Sequence, residues 1–143
     1  MDLSAFLKQH TLPPHEESLV LSDRFLGPDG QPVASRLSGI SEEESAALRQ
    51  SCRRRSQDGL EPSLDRERYL RKLAAACVRF PDLRDAALQQ SWGVLGEEAL
   101  LGKMLTAGEF ARLLEAAQRV CGFSDPEAQK QALKKASAGE TAN

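Results

Sequence analysis

TAGEFARLLEAAQRVCG, residues 106–122, contains the clearest structural pattern in this chain. Thr106 and Glu109 have the spacing of a capping box, in which each side chain binds a free backbone N–H of the first helical turn. Gly122 stands where a helix commonly ends. The apolar side chains recur at steps of three and four, which places them on one helix face; they are Phe110, Leu113, Leu114, Ala117, Val120 and Cys121. The stretch therefore predicts an amphipathic helix packed against the rest of the chain.

Four segments upstream also carry helical patterns, and their approximate bounds are 41–52, 64–79, 83–91 and 96–105. Ser41 and Glu44 repeat the capping-box spacing at the start of the first segment. Pro81 is expected to end the second segment, and Asp82 to cap the third. The apolar residues that we expect to face inward are Ala46, Ala47, Leu48, Tyr69, Leu70, Leu73, Ala76, Cys77, Phe80, Leu83, Ala87, Leu88, Leu100, Leu101, Met104 and Leu105.

The segment before these helices predicts an antiparallel β-hairpin. In residues 17–25 the side chains of Leu19, Leu21 and Phe25 share one parity, which is the pattern of a half-buried strand. GPDGQP, residues 27–32, contains the hairpin signal Asp-Gly. Residues 33–40 then return as a second strand, with Val33 and Leu37 on one face. Because a two-stranded hairpin is marginal alone, it must lie on the helices or on strands of another copy.

These patterns predict an α+β fold that is mainly α, with an N-terminal antiparallel β-hairpin followed by about five short helices in one compact domain. We expect residues 1–15 to form an N-terminal arm, with a short helix over 2–9 that Pro13 and Pro14 break. The domain is expected to span 16–123, with a polar, mobile loop near 53–63. Residues 124–143 are expected to form a flexible C-terminal tail.

Composition excludes several classes of protein. The chain has 143 residues and a formal net charge of −2, whereas a small nucleic-acid-binding domain is usually clearly basic. No apolar run approaches the ~20 residues that span a bilayer, and MDLSAFLKQH lacks the features of a signal peptide. We therefore expect a cytoplasmic protein. Three cysteines (Cys52, Cys77 and Cys121) lie far apart in sequence, so no disulfide framework or zinc site is indicated, and we expect small apolar side chains that are buried or half-buried.

The residues that could carry chemistry form no recognisable catalytic pattern. His10 and His15 are the only histidines, and neither lies in a motif that contains a nucleophile. Glu42, Glu43 and Glu44 suit the positive end of a helix dipole better than acid–base catalysis. Gly27 and Gly30 flank a turn and form no phosphate-binding loop. We expect no catalytic, cofactor-binding or metal-binding residues, no cofactor, and no enzymatic activity.

The run Arg53–Arg55 leaves an alternative open. It could contact nucleic acid or an acidic partner, and it also follows a predicted helix end, where positive charge is favoured locally. The local role is the stronger interpretation because the chain as a whole is acidic. The alternative function is a small nucleic-acid-binding regulatory protein that uses this run.

Several blocks of the sequence together resemble one known family. They are SDRFLGPDGQPVASRLSGI at 22–40, SEEESAALRQSC at 41–52, LDRERYLRKLAAACVRFPDLRDAALQQSWGV at 64–94 and GEEALLGKMLTAGEFARLLEAAQRVCGF at 96–123. Their order and spacing over about residues 16–125 are similar to the XkdN-like family of phage and prophage tail-assembly chaperones. The most distinctive pieces are SDRF, the Asp29-Gly30 turn, the predicted helix Ser41–Cys52, VRFPDL and the segment from KML to EF.

The resemblance implies a protein that acts by binding other proteins. Chaperones of this kind are thought to coat the tape-measure protein before the tail tube polymerises around it, and they are absent from the finished tail. The implied partners are the tape-measure protein and the tail tube protein, and self-association into a homo-oligomer is a further expectation. From the composition we expect no membrane partner, and nucleic acid only under the alternative that uses Arg53–Arg55. The implied location is the cytoplasm of the bacterial host. Catalytic residues and cofactors are not implied.

Overall fold

A computed structural model describes residues 1–54 and 63–123 of the chain. In this part of the chain there are five α-helices: α1 (Glu42–Ser51), α2 (Arg66–Cys77), α3 (Ala86–Ser91), α4 (Glu97–Met104) and α5 (Ala107–Val120). The strands are β1 (Glu16–Leu19), β2 (Ser35–Ser38), β3 (Arg53–Arg54), β4 (Ser63–Leu64) and β5 (Val78–Phe80). The prediction of an α+β fold that is mainly α is confirmed.

Helix α5 forms as its sequence predicts. The Thr106 hydroxyl accepts a hydrogen bond from the Glu109 N–H, and the Glu109 carboxylate accepts one from the Thr106 N–H, so both halves of the capping box are present. Gly122 has a φ of 84° directly after the helix end. The buried face of α5 contacts α2 and the sheet, and its buried apolar residues are Leu113, Ala116, Ala117 and Val120. This helix therefore lies at the centre of the core.

Helix α2 is shorter than the predicted 64–79, because the chain changes from helix to strand after Cys77. The Asp65 carboxylate caps its start by accepting the Arg68 N–H. Val78–Phe80 then pairs as strand β5 with β2, and this strand was not predicted. Two local features favour the change: Val78 is β-branched, and the residue before Pro81 is sterically disfavoured in a helix.

The sheet has the order β1-β2-β5, and all its strands are antiparallel. Leu37, on the central strand, is fully buried against the helices. The predicted hairpin is therefore present, but its strands are shorter than the predicted 17–25 and 33–40. In the connection from 20 to 34 an isolated bridge joins Leu26 to Pro32, and the Gly30 N–H binds the Gly27 carbonyl in the predicted turn.

Two details of the hairpin correct the sequence prediction. Phe25 lies in the connection rather than in a strand, and Val33 is exposed instead of sharing the buried face with Leu37. The Ser22 hydroxyl accepts the Arg24 N–H and turns the chain after Leu21, which ends the strand pattern early. Proline at 28 and 32 also lacks the N–H that a longer ladder requires.

The short helices differ from prediction at their ends and faces. In α1 the predicted cap is present, because the Ser41 hydroxyl accepts a hydrogen bond from the Glu44 N–H. The predicted buried face is wrong at Ala46 and Ala47, which are exposed, and the residue buried in α1 is Ser45. The Ser45 hydroxyl hydrogen-bonds the Tyr69 hydroxyl, which explains how a polar residue is accommodated there.

Helix α3 begins later than the predicted 83, and its cap is Asp85 rather than Asp82. The Asp82 carboxylate instead accepts the Arg84 N–H in a turn, so Leu83 is buried outside the helix and Ala87 is exposed. In α4 the predicted apolar residues are buried, and they are Leu100, Leu101 and Met104.

The predicted arm, loop and tail are described only in part. Residues 2–9 do not form one helix; two short 3-10 turns occur at Ser4–Phe6 and Lys8–His10, and no side chain in them is buried. The predicted loop 53–63 begins and ends in a strand pair, because Arg53–Arg54 pairs with Ser63–Leu64. Residues 55–62 and 124–143 lie outside the described residues, so the predictions of a mobile loop and a flexible tail remain predictions.

Candidate functional site

An apolar groove of about 210 Å³ opens beside strand β5. The connection before β2 forms one wall with Phe25 and Val33, and the segment that starts at β5 forms another wall with Phe80 and Pro81. The floor comes from buried side chains of the core, which are Leu21, Leu83, Leu101, Met104 and Leu105. Almost all of the groove's lining is therefore hydrocarbon.

The rim of the groove presents apolar side chains to solvent. Val33 is 40% exposed and Phe80 is 44% exposed. Apolar groups in this state gain free energy when a partner covers them, at about 25 cal/mol per Å² of buried apolar area. Phe80 is the larger of the two, and exposed aromatic side chains beside a pocket are frequent anchors of protein interfaces.

Two arginines lie over the aromatic side chains of the groove. The guanidinium of Arg24 is 5.2 Å from the centre of the Phe25 ring, and that of Arg36 is 5.9 Å from the centre of the Phe80 ring. These distances permit cation–π attraction. The groove therefore combines an apolar interior with an arginine beside each of two of its aromatic side chains.

Arg24 also fixes one wall of the groove to the helices. Its guanidinium donates to the Glu109 carboxylate and, at 2.8 Å, to the Met104 carbonyl. The hydrogen bond from Arg24, assisted by those from Ser22 and the Thr106 N–H, lowers the pKa of Glu109 to about 2. Glu109 is thus ionised at neutral pH, and it holds the connection before β2 against the junction between α4 and α5.

The other residues considered in the sequence do not converge on the groove. His10 and His15 are both exposed, and both lie in the segment that precedes strand β1. Arg53 and Arg54 are exposed, and Arg54 forms an ion pair with Asp65, which favours the local structural role; Arg55 lies outside the described residues. Among the residues that the structure describes, no three His, Cys, Asp or Glu side chains are arranged to hold a metal ion.

The predicted burial of the three cysteines is confirmed. Cys52 and Cys77 are buried and Cys121 is half-buried. However, the Sγ atoms of Cys77 and Cys121 lie 3.4 Å apart, a proximity that their separation of 44 residues did not reveal.

The sequence patterns did not indicate the groove. They predicted Phe80 on the buried face of a helix and Val33 on the buried face of a strand. The local signal for Phe80 was its position before Pro81, which argues against helix at that residue. For Val33 the sequence offers only the preceding Pro32, and a proline at that position does not indicate which residues the Val33 side chain contacts.

Comparison with known proteins gives a family and a fold. The sequence model of the phage XkdN-like tail assembly chaperone protein family matches residues 3–136. The crystal structure of the protein YqbN is similar with a TM-score of 0.75 and 22% sequence identity, over 87% of this chain and 98% of that chain. No curated protein matches the chain in sequence. In the described part of the chain, none of the helices has the length and apolar character needed to cross a membrane.

Proposed function

Because the chain belongs to the phage XkdN-like tail assembly chaperone family, we propose that it binds the tape-measure protein of a phage or prophage tail through its apolar groove. The observation that carries this assignment is the groove itself, with the exposed side chains of Val33 and Phe80 at its rim. A tape-measure protein is a very long helical chain with apolar stripes that aggregate if left bare. Covering such a stripe requires an apolar groove and no catalytic group.

The groove determines what kind of segment it would accept. An amphipathic helix inserts side chains at steps of three and four into a groove of this kind. Arg36, which is exposed beside Phe80, would attract a carboxylate next to the apolar stripe of that helix. We therefore expect the bound segment to be an amphipathic helix with an acidic residue beside its apolar stripe.

Binding by one copy should be modest, because tail tube subunits must later displace the chaperone and be recruited to the same tape measure. Copies that also contact one another would gain avidity without tight individual contacts. Strand β1 lies at one edge of the described sheet and is a candidate for such contacts. We propose that this assembly takes place in the cytoplasm of the bacterial host and that the chain is absent from the finished tail.

The test is co-purification with a helical tape-measure fragment from the same phage genome, together with the solubility of that fragment. We expect the wild-type chain to retain the fragment and to keep it soluble. Phe80→Asp and Val33→Asp each place a charge at the rim of the groove and should weaken binding by about tenfold or more.

Leu64→Asp is the matched control. The side chain of Leu64 is 42% exposed, a fraction similar to the 44% of Phe80. However, Leu64 lies on β4 and does not line the groove. A thermal melt of each variant shows whether it is folded. Equal loss of binding in the control, or folded groove variants that bind as well as wild type, would contradict the assignment of the groove. No binding and no gain in solubility with the wild-type chain would contradict the proposed function itself.

A further inference from the structure

Cys77 and Cys121 meet where two central helices of the core end. Cys77 is the last residue of α2, and Cys121 directly follows α5. Their Sγ atoms are 3.4 Å apart, within hydrogen-bonding distance for sulfur. Both thiols are free. This pair lies outside the apolar groove, since neither residue lines it.

The two thiols differ in their access to solvent. Cys77 is 0% exposed, whereas Cys121 is half-buried. A small reagent that approaches from solvent therefore reaches Cys121 first. Cys77 lies behind it, in contact with Cys121 and with the carbonyl of Ala117.

The surroundings also distinguish the two sulfur atoms electrostatically. A hydrogen bond from the Cys77 thiol, the Ile40 N–H and the nearby Arg79 guanidinium lower the pKa of Cys121, against the opposing effects of burial and Glu44. The same hydrogen bond, together with burial, raises the pKa of Cys77. Arg79 is held close by because its guanidinium donates to the Gly39 carbonyl at 3.5 Å. Cys121 is therefore the more acidic thiol of the pair, and its exposure makes it the sulfur that a reagent from solvent meets first.

We propose that Cys77 and Cys121 form an oxidation site for hydroperoxides, in which Cys121 reacts first and Cys77 converts the product into an intramolecular disulfide. In the first step the Cys121 thiolate attacks one oxygen of hydrogen peroxide. A sulfur–oxygen bond forms, the oxygen–oxygen bond breaks, and the departing hydroxide takes a proton to become water. Sulfur is oxidised to the sulfenic acid and the peroxide is reduced.

In the second step the sulfur of Cys77 attacks the sulfur of Cys121. The disulfide bond forms, the sulfur–oxygen bond breaks, and the hydroxyl group leaves with the proton of Cys77 as a second water. The two sulfur atoms must approach from 3.4 Å to about 2.05 Å, which requires adjustment of the two side chains. The bond would tie the end of α2 to the end of α5.

Cys52 provides an internal control. It is buried at the end of α1, and the sulfur contact found for it is with the Ser51 hydroxyl at 3.8 Å rather than with another cysteine. The experiment treats the folded full-length chain with hydrogen peroxide, blocks the remaining thiols by alkylation, and maps the peptides by mass spectrometry. We expect a Cys77–Cys121 cross-link and an unmodified Cys52, and the same cross-link in Cys52→Ala.

Two variants separate the steps. In Cys77→Ala we expect the sulfenic acid of Cys121 to persist and to be trapped by dimedone. In Cys121→Ser we expect no cross-link and an unoxidised Cys77. Circular dichroism shows whether each variant is folded.

A measurement on the wild-type chain does not depend on any variant. With limiting iodoacetamide at neutral pH, Cys121 should be alkylated about tenfold or more faster than Cys52. A wild-type chain that forms no Cys77–Cys121 cross-link, one that cross-links Cys52 instead, or equal alkylation rates for Cys121 and Cys52 would overturn the proposal.

Discussion

Replacing Gly39 even by alanine should destabilise the fold, because the backbone at this residue, directly after β2, approaches the end of α5 very closely. A Cβ atom placed on Gly39 would lie 2.3 Å from the Val120 carbonyl oxygen and 3.1 Å from the Val120 carbonyl carbon. Both atoms belong to the backbone of a helix end, so rotation of a side chain cannot remove the clash. Gly39→Ala must push β2 and α5 apart.

The magnitude of this effect follows from the cost of overpacking. Separating a buried strand from the central helix should lower the free energy of unfolding by about 3 kcal/mol. For a chain of this length that corresponds to a fall of about 10 °C in Tm. The measurement is urea denaturation at 25 °C, with a thermal melt as a second reading.

Gly102→Ala is the matched control. Gly102 lies inside α4, and an added Cβ would have no heavy atom within 4 Å. Alanine there should raise the free energy of unfolding by about 0.7 kcal/mol, because glycine loses more conformational freedom in a helix. The two identical substitutions should therefore have opposite signs. If Gly39→Ala unfolds within about 0.5 kcal/mol of wild type, like an ordinary surface substitution, the close approach of β2 and α5 is refuted.

Two further predictions concern the core and the acid dependence of stability. Leu113→Ala should lower the free energy of unfolding by about 3 kcal/mol in urea denaturation, since Leu113 is fully buried. The control Leu95→Ala, at a site that is 92% exposed, should change this free energy by less than about 0.5 kcal/mol. Equal losses in the two variants would contradict the assigned core. Because the hydrogen bond from Arg24 lowers the pKa of Glu109 from 4.5 to about 2, its stabilisation is complete above pH 4.5 and is lost as pH falls toward 2. The Tm difference between wild type and Glu109→Gln should shrink across that window, and a constant difference would contradict the ion pair.

The groove and the thiol pair are formed by different parts of the molecule. The groove depends on the walls around Phe25 and Phe80, and Arg24 holds the first of these walls on Glu109. The thiol pair depends on the ends of α2 and α5. A folded variant of the groove should therefore lose partner binding and keep the cross-link, whereas Cys121→Ser should have the opposite behaviour.

The helices whose signals are local could be predicted from the amino-acid sequence. Thr106 and Glu109 are one turn apart, so the same short segment that predicts the start of α5 also contains both halves of its cap. The apolar steps along α4 and α5 likewise specify the buried face within each helix. The turn at Asp29-Gly30 is equally local, and the hairpin followed from it.

Features that depend on partners far away in the sequence could not be predicted in this way. Val78–Phe80 becomes a strand because it pairs with the edge of β2, and Leu37 and Val78, which face each other there, are 41 residues apart in the chain. The helical spacing of Cys77 and Phe80 could not indicate this pairing. Once that strand is in place, Phe80 becomes a wall of the groove. Backbone pairing and close packing also bring Gly39 to Val120, and Cys77 to Cys121. Such contacts depend on how the elements meet in space, whereas periodicity and capping act within a few residues of one helix.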